Sequence, residues 1–152
     1  MKIISTSLAG VFEIENFIFK DNRGSFVKTF HEKSFKDSGL ATDFKESFYS
    51  VSRKGVLRGM HFQLPPHDHE KLVYVSSGEI LDVVVDIRSK SPTFGSYFST
   101  ILSSDNQKSL HIAKGFAHGF LTLSKSATVM YSTTTVQSSD HESGIRWNSF
   151  GF

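Results

Sequence analysis

The feature that most restricts the fold is an alternation of apolar and polar residues with period two, repeated in short segments along nearly the whole chain. Ile80 to Ile87 is the clearest segment: Asp82, Val84 and Asp86 fall on the face opposite Leu81, Val83, Val85 and Ile87. A helix would scatter such a pattern around its axis, whereas a strand keeps it on two faces. Similar segments run over 11–19, 25–30, 44–52, 56–63, 71–75, 97–102, 109–112, 118–123 and 128–135. Turn chemistry separates them at Asp21-Asn22-Arg23-Gly24, Pro65-Pro66, Ser77-Gly78 and Ser91-Pro92-Thr93. The fifteen phenylalanines and the scarcity of Ala and Leu runs favour strands as well. Only His31 to Ser38 reads as a short helix, with Phe35 as its apolar contact and Gly39 placed to close it. The expectation is an all-β antiparallel sandwich or barrel with one or two short helices.

At 152 residues, without repeats or a linker-like stretch, the chain fits a single domain spanning 1–152 around one core. It has no cysteine, which excludes a disulfide framework and a thiolate metal site and suits a reducing cytoplasm. No apolar run precedes Glu13 as a leader would require, and none approaches the length of a membrane span, so no membrane association is expected. A formal net charge of +2 with interspersed signs argues against a nucleic-acid footprint. What remains is local positive charge suited to a small anion.

That charge gathers in Gly55 to Val75, which holds Arg58, His61, His67, His69 and Lys71. Strict alternation from Val56 to Gln63 puts Leu57, Gly59, His61 and Gln63 on one face and Val56, Arg58, Met60 and Phe62 on the other. Gly59 leaves room beside His61. Pro65-Pro66 ends the strand in a loop carrying His67, Asp68, His69 and Glu70, and Lys71 starts the next strand on the face of Val73 and Val75. Plainer readings stand beside these. A strand histidine is often a hydrogen-bonded structural residue, and loop charges are often only solvated. Arg23, at a hairpin bend, reads equally as turn decoration and as an anion clamp. Asp82 and Asp86 suggest a half-polar cavity wall, with a solvent-facing role favoured more for Asp86 than for Asp82. His118, in Gly115-Phe116-Ala117-His118-Gly119, sits where backbone or ligand can approach closely.

A small all-β domain rich in histidine brings the cupin jelly roll to mind, whose metal form takes a His-x-His pair, a following glutamate and a distant histidine. His67, His69 and His118 suit part of that set, yet the carboxylate position falls on Val73 and Tyr74, and Glu70 comes too soon. The cupin signature persists while the metal set is incomplete, so no metal and no cofactor is expected. A metal-dependent cupin oxygenase or isomerase built on those histidines stands as a rival.

Several motifs, taken together, cover nearly the whole chain: Asp21-x-Arg23-Gly24-x-Phe26, Val56-Leu57-Arg58-Gly59-Met60-His61-Phe62-Gln63, Lys71-Leu72-Val73, Gly78-Glu79-x-x-Asp82-Val83-x-Val85-Asp86-x-Arg88, Ser91-Pro92-Thr93-x-Gly95, Gly115-Phe116-Ala117-His118-Gly119-Phe120, Tyr131 with Thr133-Thr134, and His141-Glu142-x-Gly144-Ile145-Arg146-Trp147. In these the chain resembles the dTDP-4-dehydrorhamnose 3,5-epimerases and related nucleotide-sugar epimerases. The resemblance implies a metal-independent, cupin-fold homodimer that exchanges N-terminal strands and acts on a nucleotide-diphosphate-linked 4-keto-6-deoxy sugar in deoxysugar biosynthesis for lipopolysaccharide O-antigen or a similar glycan. It implies His61 as the base beside the C4 ketone, Tyr131 as the acid on the other face, and Lys71 as the cation next to the enolate oxygen. Arg23 and Arg58 match the diphosphate contacts, Gln63 and His118 join the substrate-binding set, and Asp82 would orient a histidine.

The chain also departs from the family pattern. The family continues past Trp147 through a Trp-Pro segment to an aspartate that pairs with the catalytic histidine, whereas this chain stops at Phe152. The expectation is therefore that the family's C-terminal segment is absent and His61 lacks an assigned carboxylate. In the nucleotide-contacting set, Glu46 and Phe48 stand where Gln and Asn are common, and Lys28 replaces a frequent Glu. The nucleotide (dTDP, CDP or GDP) and the choice between C3 and both C3 and C5 stay open. A sugar-nucleotide-binding cupin that has lost catalysis is the second rival.

Overall fold

The structure is a computed structural model that describes residues 1–151. Its elements, in chain order, are β1 (Lys2–Ser5), β2 (Val11–Glu15), β3 (Phe17–Asp21), β4 (Gly24–Lys28), α1 (Glu32–Asp37) and β5 (Glu46–Arg53). Then follow β6 (Leu57–Gln63), β7 (Lys71–Ser77), β8 (Glu79–Asp86), β9 (Tyr97–Ser103), β10 (Lys108–Ile112), β11 (Phe116–Thr122), β12 (Ser126–Thr133) and β13 (Glu142–Gly144). The strands form a six-stranded sheet, β1-β2-β10-β7-β12-β5, a five-stranded sheet, β13-β6-β11-β8-β9, and a separate β3-β4 ribbon. Every pairing among them is antiparallel. This is the expected jelly roll. No helix among the described residues is long and apolar enough to cross a membrane.

The core lies where the two sheets face each other. Val73, Val75, Leu110, Ile112 and Val129 from the six-stranded sheet pack with Ile80, Val84, Leu102, Phe116 and Phe120 from the five-stranded one. The alternate residues form two outer layers. Ile14 and Leu72 meet Phe35 and Leu40, so the helix covers the back of the six-stranded sheet. Burying Phe35 completely stabilises that cover by roughly 1.5–3 kcal/mol. Met60, Val83, Val85 and Ala117 form the layer behind the other sheet.

Three expectations change here. The segment from Val11 to Phe19 is two strands in different sheets, because the buried Asn16 breaks it: the Asn16 amide donates to Gln107 O at 2.8 Å and to Ser109 Oγ at 2.7 Å. These bonds hold the end of β2 while the chain swings away into the ribbon. Asp86 does not face solvent. It is fully buried, and it accepts from Arg88 Nη2 at 2.7 Å, from Thr93 Oγ1 at 2.6 Å and from Ser91 Oγ at 2.5 Å. Those donors hold its carboxyl well below the usual range against the opposing effect of burial. The third change concerns β6 and bears directly on the site.

Candidate active site

Strict alternation would place Arg58 and His61 on opposite faces of β6, yet both line one cavity of about 460 Å³ between the sheets. The register explains it. His61 pairs with His118 and Arg58 with Phe120, so β6 covers three steps where β11 covers two. This bulge rotates the strand by one residue and turns both side chains to the same cavity, where each stays partly open to solvent. It depends on two glycines packed backbone to backbone. Gly59 has φ +139°, and a Cβ there would lie 2.5 Å from Gly119 Cα; one on Gly119 would lie 2.7 Å from Met60 Sδ. Arg58 is then fixed by donating from Nε to Ser52 Oγ at 2.9 Å.

Lys71, Tyr131 and Thr133 enter the same cavity from the six-stranded sheet. Burial brings the Lys71 ammonium down to about 8, although Asp82 and Glu142 favour the charged form. His61 is lowered as well, first by burial and then by the Lys71 cation, while Glu142 pulls the other way. The imidazole is therefore neutral at pH 7 and can accept a proton. Tyr131 is pushed upward by burial, and its hydroxyl keeps its proton. Its ring stacks on Phe48, with centroids 4.8 Å apart at 16°. The buried Asp82 carboxylate receives His118 Nε2 at 2.8 and 3.0 Å, which sets the tautomer and tilt of that ring.

The cavity thus holds a neutral imidazole facing an ammonium, with a protonated phenol on the opposite sheet and a guanidinium at one side. Such a set can remove a proton from carbon, stabilise the negative oxygen that forms, and return a proton from elsewhere. The sequence profile of the dTDP-4-dehydrorhamnose 3,5-epimerases matches residues 5–151. The chain belongs to that family. It is 43% identical over 149 residues to the dTDP-4-dehydrorhamnose 3,5-epimerase of Shigella flexneri, covering 97% of this chain and 82% of the relative. The epimerase of Methanothermobacter thermautotrophicus is 43% identical over 147 residues, covering 97% and 79%. Among solved structures, the Legionella pneumophila epimerase in complex with dTDP-4-keto-L-rhamnose superposes with a TM-score of 0.93 at 40% identity, covering 97% of this chain and 78% of that one. A 3′-monoepimerase of Streptomyces bikiniensis in complex with dTDP-quinovose gives 0.89 at 29% identity, covering 95% and 73%.

As a dTDP-4-dehydrorhamnose 3,5-epimerase family member, the protein is a carbohydrate epimerase. Of the residues singled out by sequence, the fold brings His61, Lys71, Tyr131, Arg58, His118, Glu46 and Phe48 to the cavity, with Asp82 behind His118. Gln63 reaches the cavity wall, but its amide is engaged: Nε2 donates to His67 O at 2.7 Å, and Oε1 accepts from Ser138 N at 2.8 Å. It ties the loop after β6 to the approach of β13. Arg23 and Lys28 are not brought there within one chain. They sit on the exposed ribbon, Arg23 paired with Asp21 at 2.6 Å and Lys28 over the Phe17 ring.

Sequence reasoning gave no role to Glu142 or Ser50, which both line the cavity. Glu142, from β13, acts electrostatically on both His61 and Lys71, and Ser50 sits beside the Tyr131 hydroxyl. Glu142 lay inside a quoted motif, but a three-residue strand leaves no periodic signal. The histidines of the metal rival do not converge. His118 is committed to Asp82, the His67 ring lies tilted against His141 with centroids 4.2 Å apart, and His69, lowered to about 4 by burial, meets Gln63 and Thr135. No group of three potential ligands is found among the described residues.

Proposed function

We propose that the protein epimerises a nucleotide-diphosphate-linked 4-keto-6-deoxyhexose, with a thymidine nucleotide as the carrier named for its relatives, at C3 or at C3 and C5. His61 removes the proton next to the C4 ketone, Lys71 stabilises the enolate oxygen, and Tyr131 returns a proton to the opposite face. One observation carries this reading: His61 belongs to the five-stranded sheet and Tyr131 to the six-stranded sheet, and both face one cavity with Lys71. A sugar held between them meets base and acid from opposite sides, as inversion demands. A carbon acid beside a ketone is weak, so the base depends on a preorganised cation in a partly dry site, and each such contribution is worth about 10²–10⁴ in rate. The proton transfers need no cofactor.

Arg58 grips the diphosphate, and His118, oriented by Asp82, contacts the sugar. Arg23 and Lys28 complete the site of a second copy in a homodimer that exchanges its N-terminal ribbon. Support for the exchange comes from the ribbon itself, whose Phe17, Phe19 and Phe26 are each about half exposed. Apolar surface of that kind on a two-stranded ribbon calls for a cover. The enzyme is assigned to the cytoplasm, whose reducing conditions a cysteine-free chain tolerates, and to deoxysugar supply for a surface glycan.

The test is incubation with dTDP-4-keto-6-deoxyglucose in deuterated water. Deuterium should enter C3, and C5 only if that centre also inverts. Absence of label at both carbons would reject the proposal.

A further inference from the structure

We infer that Phe48 is a positioning residue for Tyr131, holding the phenol in the orientation that delivers a proton, and that it is not a contact for the nucleotide. The inference rests on the epimerase reading above. Phe48 and Tyr131 are direct partners across β5 and β12, and their rings lie nearly parallel at 4.8 Å. The Tyr131 and His118 rings lie edge to face, with centroids 6.3 Å apart at 70°, and His118 is itself held by the buried Asp82. Tyr131 is therefore stacked on one ring and in edge-to-face contact with another.

The two supports differ in kind. His118 is anchored by a charge-assisted pair inside the five-stranded sheet, so it forms a fixed wall. Phe48 offers an apolar face, with 45% of its surface exposed. Without that face the tyrosine ring has room to turn within the cavity, and its edge-to-face contact with His118 alone leaves that turn open. An offset stack suits this task because it restrains tilt without hydrogen-bonding the hydroxyl that must donate.

The consequence follows from the proton balance. As His61 takes the proton from C3, the C–H electron pair moves into the enolate. Tyr131 O–H then gives its proton to the opposite face of that carbon, and the C–H bond forms as the carbonyl returns. The phenolate and imidazolium left behind are neutralised through solvent. A displaced Tyr131 stops only the second transfer. His61 can still remove a proton and return a solvent-derived one to the same face, so exchange with retention continues while inversion slows.

The experiment compares wild type, Phe48→Leu, Phe48→Tyr and Tyr131→Phe in deuterated water with dTDP-4-keto-6-deoxyglucose. NMR reads deuterium at C3 in recovered substrate and in inverted product. Phe48→Leu should lower the ratio of inversion to retained exchange by about two- to tenfold, toward the value for Tyr131→Phe, as expected for losing an aromatic pair. Phe48→Tyr, which keeps the stack, should hold the wild-type ratio. Because Phe48 is half exposed, both variants should melt like wild type. An unchanged ratio in Phe48→Leu, with both rates lowered through KM, would overturn the inference and make Phe48 a substrate contact. Wild type without label at either carbon would overturn the epimerase reading itself and the inference with it.

Discussion

Replacing Lys71 by methionine should stabilise the protein while strongly lowering its activity. The fold disfavours the charge on Lys71: burial brings its ammonium from the ordinary 10.5 down to about 8, even though Asp82 and Glu142 favour the charge. That net change means the fold disfavours the charged form by about 3 kcal/mol, at about 1.4 kcal/mol for each tenfold in proton affinity. Some contact with water screens the charge, so a gain of about 2–3 kcal/mol is expected from an apolar chain of similar length. The pH dependence gives the sharper check. Unfolded Lys71 titrates near 10.5 and folded Lys71 near 8, so between those values the unfolded state binds more protons and wild-type stability rises with pH. Methionine has no such dependence. Its advantage should be full at pH 7 and shrink to under about 1 kcal/mol at pH 10. Urea unfolding of both proteins at the two pH values measures this, and thermal melting at pH 7 should show a rise of about 4–12 °C for a chain of this size. A variant less stable than wild type at pH 7, or an advantage that does not change with pH, would refute the reasoning. The rate of label exchange should fall by about 10²–10³ in the same variant, the usual effect of removing an enolate-stabilising group.

The rate should follow a bell in pH. Its acid limb lies below the ordinary histidine range, because His61 must be neutral and burial lowers it. Its alkaline limb lies near 8, because Lys71 must stay charged. Lys71→Arg should move the alkaline limb upward, and a limb that does not move would assign it to another group. Gly119→Ala should cost more than about 2 kcal/mol in urea unfolding, since its Cβ would lie 2.7 Å from Met60 Sδ and 2.8 Å from Arg58 O. The same change should impair activity by turning Arg58 and His61 away from each other. Near-wild-type stability and rate would show that the bulge does not aim these residues.

Much of the fold was legible because alternation is a local property. Each apolar position at period two must find a core wherever its strand ends up, so β8, β9, β11 and β12 could be drawn with nearly correct bounds from residue order alone. The short helix was legible for the same reason, through Phe35 and a closing glycine. The chemical inventory of the site was legible as well, since His61, Lys71 and Tyr131 stand inside motifs that name a family.

Long-range pairing was not legible. Whether Arg58 and His61 share a face depends on a bulge between β6 and β11, whose partners lie far apart in the chain. That Asp82 serves His118, that Asp86 is enclosed by Arg88, Ser91 and Thr93, and that Glu142 reaches His61 and Lys71 are likewise consequences of which strands meet. Residue order alone determined that the chain would form two-faced strands carrying an imidazole, an ammonium and a phenol. Only the tertiary structure decided that these groups look into one cavity from opposite sheets, because register and sheet stacking are set by contacts between segments and not by the pattern within any of them.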